Sequence, residues 1–490
     1  MKFKKILTFI LSSTLIASFS LSLTKKEQKL YAENPKEVLK VYNWADYIYD
    51  GSDPLFDDDE KEIPGIIEQF EAYYAEKYPG RTVSVEYDTF DTNEVMLNEI
   101  KTGKTQYDLI CPSDYIIQRL MVEDMLEEID LTKIPNYTQY ASKYLQNLFI
   151  KNEWDKYACG YMWGTVGLTY NPATVDEEDM KTWTSLWSVD YNKKILIKDS
   201  LRETYMVGVM KVYRGELNKA RAKYQTGELS AAEYNAILTE IFNRHDKDTL
   251  EKVQKTLTNL KKNIYGFEVD SGKNDIVTGK VDINLAWSGD AVFSMDTAEE
   301  EDGVLLNYSV PEEGSNIWFD GWCLPKGAKK ELAYEFLNFI SQPSIACLNM
   351  SYIGYTSFIA GDEVLDMVWD WYGDEEGEYT ADLTYFFENT LSGTYDTSRM
   401  LVKTDTVGRQ FTAQYPTLDI INNCAIMEDF GEGNENVVAM WEAIRANEVP
   451  IWLIIVVCGV VVLGAAGYAY YKYSKTRNRR RRRKASLKRS

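Results

Sequence analysis

The chain has 490 residues, of which 45% are hydrophobic and 27% charged; these values are ordinary for a globular protein and exclude disorder or a collagen-like repeat. The net charge of −22 argues against a nucleic-acid-binding role, and a single histidine, His245, argues against histidine metal clusters and His-based catalytic triads. Aromatic residues make up 13%, including 35 tyrosines and 12 tryptophans, which raises the question of what these rings bind.

The N-terminus predicts a secretory signal peptide over residues 1–32. Lysines near Met1 precede an apolar, serine-rich run from residue 6 to 23, and we expect cleavage near Ala32. Lys25, Lys26 and Lys29 lie between the run and the cleavage site. They leave the alternative of an uncleaved anchor open.

The C-terminus predicts a transmembrane helix over residues 451–471, which contain no charged side chain. Such a stretch is long enough to cross a hydrocarbon core of ~30 Å. Residues 472–490 hold eleven lysines and arginines and no acid, so the positive-inside rule predicts a cytoplasmic tail that orients the chain and contacts anionic lipid. Residues 33–449 carry a formal charge of −38 and are expected as an extracellular or periplasmic domain of a single-pass cell-membrane protein.

The cysteines argue against other anchors and cross-links. Cys111 is the first and lies far from any lipobox position, and no Leu-Pro-x-Thr-Gly sorting motif precedes residue 451. The cysteines are scattered and form no Cys-x-x-Cys pair, which argues against a disulfide framework and structural zinc. We expect neither a cofactor nor a metal.

Between the two ends, short β-branched runs alternate with helical patterns, which is typical of an α/β fold with a parallel sheet. A capping-box pattern at Ser230 and Glu233 precedes an apolar-periodic run. The predicted strands are 38–42, 82–87, 107–111, 194–198, 281–286 and 305–310, and the predicted helical segments are 66–74 and the long stretch 217–262.

Aromatic and acidic residues directly follow several predicted strands. Open α/β sheets bind ligands at the carboxyl ends of their strands, and ring faces combined with carboxylates complement an organic ammonium. Taken singly, each tryptophan is also explained as a core residue, Asp199 as a helix cap and Asp114 as a turn residue. The segments are Tyr42–Tyr47, Pro112–Tyr115, Asp199–Glu203, Trp287–Asp290, Trp318–Asp320 and Ile353–Tyr355.

In their order, these motifs and the Trp163-Gly-Thr165 and Tyr170-Asn171 elements closely resemble the spermidine/putrescine-binding proteins of bacterial polyamine ABC importers, over about residues 38–430. The resemblance implies a type II periplasmic binding protein fold that closes on a linear polyamine and delivers it to permease and ATPase subunits. It implies two lobes, one formed by residues 33–159 and 318–362 and the other by 160–317 and 363–445.

Carried over residue by residue, the resemblance implies eleven ligand-binding residues and no enzymatic activity. The register leaves open whether Asp199 or Ser200 takes the position of a second acid near Glu203. The acidic segment 50–62 and the helical segment 217–248 fall outside the family pattern. The implied residues are Trp44, Tyr47, Ser113, Asp114, Tyr115, Asp199, Glu203, Trp287, Trp318, Asp320 and Tyr355.

Other classes stay open at this point. A glycosidase also combines paired carboxylates with stacking aromatic rings, and so does a carbohydrate-binding surface protein. A receptor of the same fold for a different organic cation is the third alternative.

The predicted topology can be tested by deleting residues 451–490. We expect the truncated protein to be released in soluble form, because the deletion removes the apolar span and the basic tail that orients it. Fractionation of cells that express the full-length and truncated chains measures this. A truncated chain that stays in the membrane after signal cleavage would contradict the assigned anchor.

Overall fold

The computed structural model describes residues 36–446 except residues 58 and 394. The predicted signal peptide, transmembrane span and basic tail therefore lie outside the described residues. Within the described part, no helix is long and apolar enough to cross a membrane.

The strands contain the runs that the sequence predicted, with some shifts at the ends. They are β1 Glu37–Trp44, β2 Val83–Phe90, β3 Leu109–Ile110, β4 Ala158–Tyr170, β5 Ile195–Lys198, β6 Gly266–Glu268, β7 Ile283–Trp287, β8 Asn307–Ser309, β9 Ser315–Cys323, β10 Thr356–Ser357, β11 Tyr379–Ala381, β12 Met400–Val402 and β13 Cys424–Ala425. All six predicted strands are confirmed.

The helices connect these strands or form peripheral layers. They are α1 Ile66–Lys77, α2 Asn93–Thr102, α3 Asp114–Val122, α4 Pro135–Tyr140, α5 Lys143–Lys151, α6 Leu201–Val212, α7 Arg214–Gln225, α8 Ala231–Phe242, α9 Lys247–Asn263, α10 Gly272–Val277, α11 Ser288–Asp302, α12 Lys330–Ile340, α13 Pro343–Ile353, α14 Asp362–Tyr372, α15 Thr384–Phe387, α16 Gln410–Gln414, α17 Leu418–Asn422 and α18 Asn434–Arg445.

The main sheet is mixed, with the strand order β2-β1-β3-β9-β4-β7-β5-β6. On one side β1 pairs in parallel with β2 and β3, and on the other β5 pairs in parallel with β6 and β7. The central strands β4 and β9 are antiparallel to each other and buried along their whole length. These two strands join two parallel half-sheets, each with its own crossover helices.

The long predicted helical stretch 217–262 is divided into α7, α8 and α9. Gly227 has a left-handed backbone (φ +77°), which glycine adopts without a steric penalty, and the chain leaves α7 there. Ser230 and Glu233 form the predicted capping box at the start of α8. Asp246 caps α9 by accepting from the amides of Asp248 and Thr249. The expectation of helix is confirmed, and its continuity is wrong because local capping interrupts it.

Candidate functional site

Several candidate residues stand where a strand ends and a helix begins. Trp44 ends β1, Ser113 precedes α3, Ser200 precedes α6 and Trp287 ends β7. Because β1 and β3 are parallel in one half-sheet and β5 and β7 in the other, each half presents its side chains at one edge. The strand ends therefore position the candidates as the sequence predicted.

The carboxyl group of Asp320 is the centre of one cluster. Asp320 lies on β9 and is 6% exposed. It accepts a hydrogen bond from the Tyr47 hydroxyl at 2.8 Å and another from the Ser113 hydroxyl at 2.7 Å. Burial raises the pKa of Asp320 to about 7, although both hydrogen bonds favour the carboxylate, and the nearby charge of Glu203 raises it further.

Asn93 supports this cluster from the first turn of α2. Its amide nitrogen donates to the Ser113 hydroxyl at 3.0 Å and to the Tyr115 hydroxyl at 3.1 Å. Its amide oxygen accepts from the backbone N–H of Ser113 at 3.2 Å, and the Tyr115 hydroxyl donates to Glu94 at 3.3 Å. The sequence reasoning missed Asn93 and Glu94 because they follow β2 without the Trp or Tyr that marked the other strand ends.

Aromatic rings surround Asp320. The Tyr355 ring meets the Tyr47 ring edge-on, with centroids 5.2 Å apart, and the Trp318 ring with centroids 5.6 Å apart. Tyr161 packs against Tyr47 at 5.4 Å. Burial and the neighbouring carboxyl groups raise the pKa of Tyr47 and of Tyr355 well above the ordinary value. Both hydroxyls thus remain protonated and able to donate.

Glu203 is the second acidic group, in the first turn of α6 and 7% exposed. The Trp287 indole N–H donates to its carboxylate at 3.2 Å, and the Ser200 hydroxyl also donates to it. Ser200, one of the two residues proposed for a second acid position, thus supports Glu203 as a hydroxyl donor. A carboxylate next to a tryptophan ring suits a bound ammonium.

Lys198 and Asp290 connect this side to Tyr355. The buried ammonium of Lys198 contacts Asp290 and Glu268, each at 2.9 Å, and lies 4.3 Å from the centroid of the Trp287 ring. The Tyr355 hydroxyl donates to Asp290 at 2.7 Å. The sequence showed Asp290 beside Trp287, but only the pairing of distant strands reveals its contact with Lys198.

A second internal cation, Arg202, lies beside the aromatic groups. Its guanidinium carbon lies 3.6 Å from the Phe430 ring centroid and 5.3 Å from that of Tyr115, and it donates to Asn243 at 3.2 Å. Burial lowers the pKa of Arg202. Phe430 and Asn243 were not singled out from the sequence, because nothing local distinguishes them from ordinary core residues.

Three candidates are less directly connected with these clusters. Asp114 is fully buried at the start of α3 and accepts from the Tyr115 amide at 2.7 Å, and burial raises its pKa well above the usual range. Trp44 packs against Phe90 with ring centroids 4.7 Å apart. Asp199 lies after β5, where its amide donates to the Glu268 carbonyl. Their roles as ligand contacts stay predictions.

Metal binding was tested on the part of the chain that the structure describes. There, no group of three or more histidine, cysteine, aspartate or glutamate side chains is arranged to hold a metal ion. The five cysteines in this part are free and buried.

Solved structures share this architecture. A spermidine/putrescine ABC transporter substrate-binding protein of Streptococcus pneumoniae is 26% identical, with a TM-score of 0.52, and the match covers 84% of this chain and 100% of that one. A lipoprotein of Treponema pallidum has the same fold at 20% identity, with a TM-score of 0.58 and coverage of 84% and 99%. The fold is therefore the two-lobed α/β fold of solute-binding proteins.

Sequence comparison leads to the same class. The model of the family "Bacterial extracellular solute-binding protein" matches residues 65–370, and the chain belongs to this family. The spermidine/putrescine-binding periplasmic protein of Salmonella typhimurium is 27% identical over 322 residues, which is 65% of this chain and 77% of that protein. The putrescine-binding periplasmic protein of Escherichia coli is 27% identical over 329 residues, covering 66% and 78%. These relatives bear out the resemblance seen in the motifs.

The close contact between Gly289 and Tyr355 can be tested by substitution. A Cβ atom at Gly289 would lie 2.2 Å from the Tyr355 ring, so Gly289→Ala forces the ring away from Asp290. We expect a loss of about 1–3 kcal/mol in the free energy of unfolding, measured by urea denaturation.

Gly215→Ala is the matched control, because a Cβ at this helical glycine meets nothing within 4 Å. We expect it to be neutral or to stabilise the protein by up to about 1 kcal/mol. Equal effects of the two substitutions would contradict a packed Tyr355 ring.

Proposed function

We propose that this chain is the receptor of an ABC importer and captures a linear polyamine, putrescine and/or spermidine, between its two lobes. The observation that carries the proposal is the buried carboxyl of Asp320, enclosed by Tyr47, Trp318 and Tyr355. A buried carboxylate is costly without a counter-charge, which raises the pKa of Asp320. An ammonium placed between these rings would supply the charge and gain cation–π contacts.

A linear ligand with two charged ends would suit the separate placement of Asp320 and Glu203. Asp320 accepts from donors on the N-terminal half-sheet, whereas Glu203 contacts Trp287 on the other. Each ammonium would meet one carboxylate and at least one ring. The names of the relatives support this choice, since several bind spermidine or putrescine. A different organic cation remains the alternative that ligand testing decides.

Within this proposal, the predicted lobe boundaries give several contacts a role in closure. Tyr355 belongs to the lobe formed by residues 33–159 and 318–362, whereas its partner Asp290 belongs to the other. Arg119 pairs with Asp429 at 2.6 Å, and Gln118 donates to the Met427 carbonyl at 2.8 Å, also across the predicted boundary. These bonds would hold the closed form around the ligand.

Transport requires further subunits and a fixed location. We propose that the closed receptor delivers its ligand to a permease driven by an ATPase. The predicted helix 451–471 would keep the receptor on the outer face of the cell membrane, with the basic tail inside.

Specific binding can be separated from diffuse attraction to the acidic surface by calorimetry in salt. We expect one-to-one binding of putrescine or spermidine that survives about 0.5 M salt with modest loss, because contacts enclosed between lobes are screened less than exposed charges. Magnesium should not compete, since a compact hydrated ion cannot lie along a row of rings. Binding of many equivalents that disappears in salt and is displaced by magnesium would refute the receptor proposal.

The role of Asp320 can be tested by Asp320→Asn, which keeps the shape and removes the charge. We expect a loss of about 1.5–3 kcal/mol in polyamine binding, a factor of roughly ten to 150 in Kd. The exposed Asp302 provides the control, because Asp302→Asn makes the same charge change away from the site and should leave Kd unchanged. Equal affinities of the wild-type protein and Asp320→Asn would remove Asp320 from the site.

The same pair of proteins makes a prediction on pH. Asp320, with its pKa raised to about 7, is protonated below that pH and must lose its proton before it pairs with an ammonium. Because aliphatic amines stay charged up to a pH of about 10, wild-type affinity should increase as the pH rises from about 6 to about 8. Calorimetry across this range should show a flatter profile for Asp320→Asn. Parallel profiles would assign the pH dependence to another group.

A further inference from the structure

The side chain of Lys198 is a cation of the protein itself, placed within the aromatic and acidic groups of the site. Lys198 is the last residue of β5 and its side chain is 0% exposed. Its ammonium contacts Glu268 and Asp290 at 2.9 Å each and the Val269 carbonyl at 3.1 Å. An ammonium has three N–H donors, so these contacts use all of them.

This ammonium occupies a place that the sequence reasoning assigned to a ligand. It lies 4.3 Å from the centroid of the Trp287 ring, the indole of which donates to Glu203. Its partner Asp290 also accepts from the Tyr355 hydroxyl through the other carboxylate oxygen. One ring and one carboxylate of the crevice therefore already hold a cation.

Lys198 keeps its charge despite burial. Burial alone lowers the pKa of a lysine, but Asp290 and Glu268 outweigh it and raise the pKa of Lys198 above the ordinary value. A neutral amine at this position would leave two buried carboxylates unpaired. The cation is therefore a permanent part of the site at physiological pH.

Two other acids differ from Asp290 in this respect. Among the described residues, neither Glu203 nor Asp320 forms an ion pair; their hydrogen-bond donors are hydroxyls and the Trp287 indole. Each of these two carboxylates can pair with one ammonium of a ligand. A third ammonium would come to the group of Trp287 and Asp290, where it would meet Lys198.

We propose that Lys198 determines specificity by acting as a built-in ammonium, so that the site selects a linear diamine of the putrescine type over a triamine of the spermidine type. The inference rests on the proposed function and specifies its substrate. Repulsion between two ammonium groups in a desolvated place disfavours the longer ligand. The uncharged methylenes of a longer chain meet no such repulsion.

Three ligands compared by calorimetry on the wild-type protein test this. Putrescine has two ammonium groups, spermidine has three, and N-propylputrescine matches the length of spermidine without its third charge. We expect putrescine to bind at least about tenfold more tightly than spermidine, and N-propylputrescine to bind about as well as putrescine. This pattern would separate charge repulsion from a limit on length.

A double variant tests Lys198 directly. Lys198→Met with Glu268→Gln removes one positive and one negative charge and leaves Asp290 free to pair with a ligand. We expect spermidine to gain about tenfold relative to putrescine. Lys280→Met with Asp275→Asn is the matched control, because it removes a 2.9 Å ion pair elsewhere on the molecule. It should leave the ratio of the two affinities unchanged.

The possible outcomes are distinct. Spermidine binding as tightly as putrescine to the wild-type protein would overturn the inference while leaving the receptor function intact. Exclusion of both spermidine and N-propylputrescine would overturn it as well, because length alone would then explain the selection. No binding of any of the three amines would refute the proposed function itself. If the double variant fails to fold, the wild-type series still decides between these outcomes.

Discussion

The arrangement of the site depends on a carboxyl group that is buried on a strand shared by both halves of the sheet. Asp320 lies on β9, and the hydroxyls of Tyr47 and Ser113 reach it from the half that contains β1 and β3. A buried acid must be neutral, hydrogen-bonded or paired with a cation. Asp320 uses the first two solutions, and a cationic ligand would provide the third. The surrounding rings can contribute to binding because this acid lies among them.

The chain meets the same electrostatic requirement differently at other acids of the site. Lys198 neutralises Asp290 and Glu268 from inside the protein, and Arg202 brings a second buried guanidinium to the faces of Phe430 and Tyr115. The pattern of internal cations therefore decides which carboxylates are left for a ligand. Counting acidic residues alone would overestimate the number of ammonium groups that the site can accept.

Close packing at the central strands explains why small residues occur beside the large rings. A Cβ atom at Gly164 on β4 would lie 2.8 Å from the Trp318 ring, and one at Gly160 would lie 2.1 Å from the ring of Phe358. The glycines let rings from distant segments lie directly on the backbone of β4. Gly289 does the same for Tyr355 on the other side of the site. The aromatic groups are thus held by backbone contact as well as by hydrogen bonds.

The sequence alone determined the α/β class, the six predicted strands and the placement of Trp287, Glu203 and Ser113 at strand ends, because hydrophobic periodicity and chain order are local properties. It could not determine the division of the stretch 217–262, which depends on individual caps, or the contacts of Asn93 with Ser113 and of Lys198 with Asp290. These pairs are separated by 20 and 92 positions and meet only where the chain folds back on itself. The tertiary structure decided which charges are matched inside the protein, because burial and pairing depend on the distances between strands rather than on their order.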